Sequence, residues 1–358
     1  MPPSAITGDD ALTRLGGWTR NQLACPPWGS GLGLARTVLA LGTMGTLLAT
    51  PPQALMSPLA GGIHPPVCAG IAQASIWCML PQAHLQAARW LSVLILAIVA
   101  SGWRPRLTGV AHWWIAWSLF ASASIQDGGD QITAVLTLLL IPVTLTDSRR
   151  WHWAKPSAQA GSTLARLIAA TAIVLMKIQV AALYLDAGIA KLGVADWANG
   201  TAMFYLFRSV LFAPPPWLTP ITGAVTGTAT GVAAVTWGAI VLEIALGVAL
   251  LLPARLRPFL LAAGLLFHDV IALTMGLISF DCAMTGALLL YLLPMGYQIP
   301  PARQWRKLQL LRAIRPARPT APTPHPVLPA SPSPAPALAE PAAEVESTAA
   351  VAAAGHDL

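Results

Sequence analysis

The sequence predicts an all-α, polytopic membrane protein of about eight transmembrane helices. Three observations carry that expectation. The 358 residues are 55% hydrophobic and 10% charged, with a mean hydropathy of +0.63, whereas about a quarter of a soluble domain is charged. Apolar runs of roughly twenty residues, the length that crosses a bilayer as a helix, recur along the chain. The basic residues gather in every second connection between those runs. In lipid every backbone polar group has to be paired internally, so the spans are helices, and the alternation of a transmembrane barrel is absent.

The elements follow in order. Residues 1–28 are polar, carry Arg14 and Arg20 and lack an early apolar core, so they read as a cytoplasmic N-terminal segment rather than a cleavable signal peptide. Spans are expected at roughly 31–50, 88–103, 110–125, 131–146, 164–186, 233–252, 257–276 and 281–298. An outer loop, 51–87, separates the first two and contains Cys68 and Cys78. In an oxidising compartment these form a disulfide or remain two free thiols, and both readings stand. Cys25 and Cys282 read as unpaired. Segment 200–232 is apolar but broken by Pro214, Pro215 and Pro216. No straight span passes three prolines, so it reads as an interfacial or re-entrant piece with Trp217 at the headgroups. Residues 301–358 are basic, then Pro- and Ala-rich, the composition of a disordered cytoplasmic tail.

Charge orients the spans. Arg14 and Arg20, Arg104 and Arg106, Arg149, Arg150 and Lys155, Arg255 and Arg257, and the cluster from Arg303 to Arg315 all fall on one side if both termini are cytoplasmic. The net charge of +7 thus serves topology rather than nucleic-acid binding, and membrane lipid is the expected surrounding. Abundant Ala, Pro, Gly and Arg with little Lys fits a GC-rich bacterial genome, hence a bacterial cell membrane.

Ionisable groups inside spans are costly and are functional candidates by default. In span five, Lys177, Tyr184 and Lys191 are seven apart and share one helical face, while Gln179 and Asp186 share another. Glu243 lies near the middle of span six, His268 and Asp269 lie within span seven, and Asp281 with Ser279 precedes span eight. Asp127 and Asp130 flank Gly128 and Gly129 in an outer turn. The functional reading is an outward-facing pocket with Lys191 as base and His268 as proton carrier. The plainer readings are a Lys191 that snorkels to the headgroups, a His268 that bonds a neighbouring helix, and turn-forming aspartates. Lys177 and Glu243 are candidates for a buried structural ion pair. Arg36 is either a snorkelling anchor or the partner of an outer-facing acid. "HWWIAW" (112–117) and "WHW" (151–153) read as interfacial aromatic belts, each with a single histidine. No metal-ligand spacing, phosphate loop or nucleophile elbow is present, so no metal is expected.

The stretch "YLDAGIAKLGVADWANG" (184–200) resembles the motif of the HTTM (horizontally transferred transmembrane) domain shared with vitamin K-dependent gamma-carboxylase: an aromatic, Ala-Gly, Lys-Leu, then Asp-Trp and Gly. The resemblance puts the family's catalytic base on Lys191; the carboxylase has a second lysine just before it, where this chain has Ala190. A wider likeness, in "PWGSGLGLARTVLALGTMGTLL" (27–48), "GGDQITAVLTLLLIPVTLTDSRRWHW" (128–153) and "HDVIALTMGLISFDCAMTGALLLYLLP" (268–294), is to the sporulation-delaying protein B (SdpB) branch. That resemblance implies an HTTM-like domain over 29–300 and a factor that matures a secreted antimicrobial peptide precursor with a small SdpA-like partner. It also implies a gamma-carboxylase-like membrane enzyme using a lipid-soluble quinone. The resemblance bears on Lys191; with the pocket read from the polar residues, the candidate catalytic residues are Lys191, His268 and Asp186, and Tyr184, Trp197, Asp130 and Asp281 are the candidates for binding substrate or cofactor. A non-enzymatic export scaffold or chaperone and a toxin immunity protein remain as alternatives.

Overall fold

Eight long helices form the frame of the computed structural model, which describes Gly17 and residues 25–58, 65–124 and 127–300. They are α1 (Ser30–Ala49), α2 (Leu85–Ser101), α3 (Pro105–Ser122), α4 (Gly128–Thr146), α5 (Thr163–Leu192), α6 (Ala229–Gly247), α7 (Arg257–Met275) and α8 (Ile278–Leu292). The chain divides into two compact units, Met1–Pro301 and Ala302–Leu358, and the long helices belong to the first. The expected N-terminal segment (apart from Gly17 and 25–28) and the expected tail from 301 lie outside the described residues.

Each long helix overlaps one expected span. Five apolar helical stretches have the length and composition to cross a bilayer: Ser30–Ala49, Gly128–Thr146, Thr163–Leu192, Ala229–Gly247 and Ala254–Met275. Leu85–Ser101 and Ile278–Leu292 are apolar but shorter, and α3 is diluted by Arg106 and His112. The protein is thus a multi-pass helical membrane protein. The main departures from the expected boundaries are α5, whose 30 residues run past 186 to Leu192, and α8, which ends at Leu292 and not at 298. α5 starts where the Ser162 side chain accepts from the Ala165 N–H. It makes a rod of about 45 Å at 1.5 Å per residue.

The centre of the bundle is α8. It packs against α1, α4, α5 and α7, and from Ala283 to Leu292 every residue except Thr285 is buried. A helix that is apolar on all sides belongs in a core. Association within lipid rests on close packing, so small residues mark the contacts. A Cβ on Gly286 would stand 2.6 Å from Leu39 Cγ of α1, and one on Gly264 of α7 would stand 2.9 Å from Leu288 Cδ1. Lys177 finishes α8: its Nζ donates to the Tyr291 carbonyl and, at 2.9 Å, to the Leu293 carbonyl. An ammonium there satisfies carbonyls left open at a helix C-terminus. This replaces the expected Lys177–Glu243 ion pair, because Glu243 is engaged by a different lysine.

A second core joins the far half of α1 to α2 and α3. Part of the 51–87 loop plugs it with Ile76 and Trp77. The Ile76 N–H donates to Ser118 Oγ at 3.1 Å and Trp114 Nε1 donates to the Ala74 carbonyl at 2.8 Å. Cys68 and Cys78 are joined by a disulfide, while Cys25 and Cys282 are free thiols. Segment 200–232 forms two short helices, Ala202–Leu206 and Thr219–Thr226, ahead of α6, both resting against α6.

Arg36 departs from both expectations for it. It is 1% exposed, so it does not snorkel, and its Nη2 donates to Thr108 Oγ1 of α3 at 2.6 Å instead of meeting an outer acid.

Replacing Gly286 with Leu should lower the unfolding free energy of the detergent-solubilised protein by about 2 kcal/mol or more through overpacking. Gly45→Ala should leave the midpoint nearly unchanged, because a Cβ there meets nothing within 4 Å. Thermal melts of both variants check this.

Candidate functional site

The site begins where α5 and α6 pass each other. The helices are antiparallel, and a glycine on each makes room for a side chain of the other, Gly188 for Ile244 and Gly247 for Leu185. A Cβ on Gly188 would stand 2.8 Å from Ile244 Cγ1, and one on Gly247 would stand 2.9 Å from the Leu185 backbone nitrogen. This approach puts Lys191 opposite Glu243. Lys191 Nζ lies 2.8 Å from Oε1 and 2.7 Å from Oε2 and also donates to the Ala187 carbonyl at 3.2 Å. The lysine side chain is 23% exposed and the glutamate side chain 9%, so the pair is mostly withdrawn from water and its attraction is strong.

The motif beyond Lys191 folds back over it. Val194 and Gly193 end α5, and the short helix Ala195–Ala198 brings the Trp197 ring to 5.2 Å from Lys191 Nζ. Gly200 then takes a left-handed backbone, φ +75°, where a Cβ would meet the Trp237 ring of α6 at 2.9 Å. The Met203 N–H donates to Thr236 Oγ1 at 3.3 Å. The tryptophan and the glycine of the motif thus fasten the end of α5 to α6 and cover the lysine.

A cavity of about 520 Å³ opens beside the pair, between α4, α5, α6, α7 and α8. Lys191, Glu243, Asp186, Gln179 and Gln131 give it a polar part. Ile132, Val135, Leu136, Phe267, Phe280 and Met284 give it an apolar part. Tyr184 and His268 are 1% and 2% exposed and meet through Tyr184 Oη and His268 Nε2, 2.9 Å apart. The imidazole is wedged against Phe267 and Phe280, with ring centroids at 5.0 and 5.6 Å. Its Nδ1 is buried without a hydrogen-bond partner.

Of the residues singled out in the sequence, Lys191, Asp186, Tyr184 and His268 line this one cavity. Trp197 touches it only through Lys191. Asp130 and Asp281 are not among the lining residues. The Asp130 N–H donates to Asp127 Oδ1 at 2.7 Å in the cap of α4, and Asp281 accepts from Thr285 Oγ1 at 3.5 Å. Glu243 gained a role that the sequence did not give it, that of counter-ion to Lys191. Gln131 and the two phenylalanines carried no signal in sequence beyond their residue types. No group of three His, Cys, Asp or Glu able to hold a metal occurs among the described residues.

A multi-pass helical protein with a mainly apolar cavity that carries a polar part, among its later helices, is the class that fold and site define. Residues 132–294 match the HTTM domain model. Two Bacillus subtilis (strain 168) proteins are similar over 275 residues, 76% of this chain. "Uncharacterized protein YitO" is 36% identical with 88% of its length covered, and "Sporulation-delaying protein SdpB" is 32% identical with 84% covered. The chain therefore belongs to the SdpB-like HTTM family. No solved structure matches it.

A double-mutant cycle of Lys191→Met and Glu243→Met should show a coupling of about 1–3 kcal/mol. Each single change strands a half-buried charge, and the double change removes both. Unfolding of the four proteins in detergent measures it, and additive losses would mean that water screens the pair.

Proposed function

We propose that this protein is a membrane factor for maturation of a secreted antimicrobial peptide, acting through the cavity beside Lys191. The observation that carries the reading is the joining of the motif lysine, a buried carboxylate and a cavity in a chain similar to a protein named for sporulation delay. The partners on this reading are the peptide precursor and a small SdpA-like protein. The location is the bacterial cell membrane with both termini cytoplasmic. Support for that orientation comes from Arg104, Arg106, Arg149, Arg150, Lys155, Arg255 and Arg257, which occupy alternate connections of the bundle.

The geometry suggests how Lys191 serves as a base. At rest the Lys191 ammonium faces the Glu243 carboxylate. A proton passed over the 2.7 Å to Oε2 leaves a neutral amine and a neutral acid, which a low-dielectric site tolerates better than two separated charges. His268 and Tyr184 form a second hydrogen-bonded pair on the cavity wall able to carry a proton. Asp186 offers an exposed exit toward water. The lining suits a lipid-soluble quinone. Phe267 and Phe280 would flank a flat ring, and the orphaned His268 Nδ1 is a polar atom that a ring oxygen could meet through its N–H tautomer. When bound, such a group supplies a two-electron redox couple.

The test is the intact mass of the co-expressed precursor's product. Wild-type protein should change that mass, and Lys191→Ala should abolish the change. Lys191→Arg should abolish it too, because a guanidinium stays protonated. Full activity in the Arg variant would sink the base role. An identical product from wild type and Lys191→Ala would make the protein a non-enzymatic scaffold.

A further inference from the structure

A second buried polar cluster lies apart from the cavity, where α1 and α3 meet the connection between α4 and α5. Arg36 is its centre. Beyond the bond to Thr108 Oγ1, its Nε and Nη1 are buried with no hydrogen-bond partner. One turn along α3 from Thr108 is His112, also 1% exposed, whose Nε2 has no partner either. His152, 1% exposed, packs over Gly33, where a Cβ would stand 2.9 Å from its ring. None of these residues lines the cavity beside Lys191.

The charges do not balance. Asp147, 2% exposed, is the carboxylate that acts on Arg36, but Arg149 already holds it in a fork, with Nε at 2.9 and 3.1 Å and Nη2 at 2.7 Å. One carboxylate therefore serves two guanidiniums. His152 adds no charge, since burial, Arg36 and Arg149 push its pKa down to about 3. Its tautomer follows from Thr37: that hydroxyl donates to the Ala100 carbonyl at 2.8 Å and so accepts from His152 Nε2 at 3.3 Å. Nδ1 is then a lone pair, which borders the cluster without binding an anion. An unmatched guanidinium out of water is strongly disfavoured. A water molecule would satisfy its N–H groups but leave its charge.

We infer that Arg36 and His112 hold a small inorganic monoanion of chloride size, with Arg36 Nε and Nη1 and the Nε2–H tautomer of His112 as donors. The 1% exposure of Arg36 excludes a lipid headgroup as the source of the anion.

The experiment is a melt of the purified full chain in detergent, with sodium chloride or bromide replacing sodium gluconate at constant ionic strength. A ligand that binds only the folded form raises the midpoint in a saturable way. Wild type should gain several degrees with either halide, and Arg36→Met should gain none. His112→Phe should need several-fold more chloride for half the shift. Equal midpoints in chloride and gluconate, or a shift kept in Arg36→Met, would overturn the site. Should Arg36→Met not fold, the ³⁵Cl linewidth over the wild-type protein decides. Broadening that bromide competes away and that His112→Phe reduces supports the site. No broadening, or broadening unchanged in His112→Phe, removes it.

Discussion

A charge taken inside a helical membrane bundle has to find its opposite there, and the meeting of α5 with α6 is built around that requirement. Lys191 and Glu243 are 52 positions apart in sequence and 2.7 Å apart in space. The distance is set by glycines. Gly188 and Gly247 leave room on each helix for Ile244 and Leu185 of the other, so the two helices approach closely and the long side chains of the pair meet. The cavity, the position of Trp197 and the fold-back at Gly200 all follow from this pairing. α6 continues well past the end of α5, and the residues after Lys191 turn back to pack on that overhang at Trp237 and Thr236.

The other buried cations show alternative solutions. Lys177 gives its protons to the open carbonyls of α8, a dipole end in place of a carboxylate. Arg149 takes a carboxylate and two backbone carbonyls at once, those of His152 and Ala154. Arg36 has a hydroxyl and a distant share of Asp147. All four of these basic residues, Lys191 included, lie in or beside apolar segments, and the structure sorts them by the partner each one reaches.

The helices were legible because length and apolarity are local properties, and every expected span meets a helix. The end of α5 was less so. The expected span closes at 186, with Lys191 at the outer end of its helix, whereas the helix continues to Leu192 with Asp186 and Lys191 on the cavity. Lys191, Tyr184 and Asp186 could be singled out from the motif and helical spacing, and His268 from its place as an ionisable group inside a span. The Lys191–Glu243 pair could not, since Lys177 is equally seven residues from Tyr184 and only the register of α5 on α6 separates the two lysines. Asp130 and Asp281 misled for a related reason: an acid at a helix start serves the cap or the first turn as readily as a ligand. His112 and His152 stood in two aromatic runs that read as belts, and nothing local tied either one to Arg36.

The central position of α8 bears on how the chain is made. Helices enter the membrane in the order of synthesis, and α8 is the last of the eight. The four helices that enclose it, α1, α4, α5 and α7, are therefore inserted before the element that they pack around exists. Until Ile278–Leu292 arrives, Leu39, Met176 and their neighbours face lipid or one another, and the carbonyls that anchor Lys177 are missing. Closure of this core is thus a late event that waits for α8, and a chain cut before Ile278 would lack its middle instead of an edge.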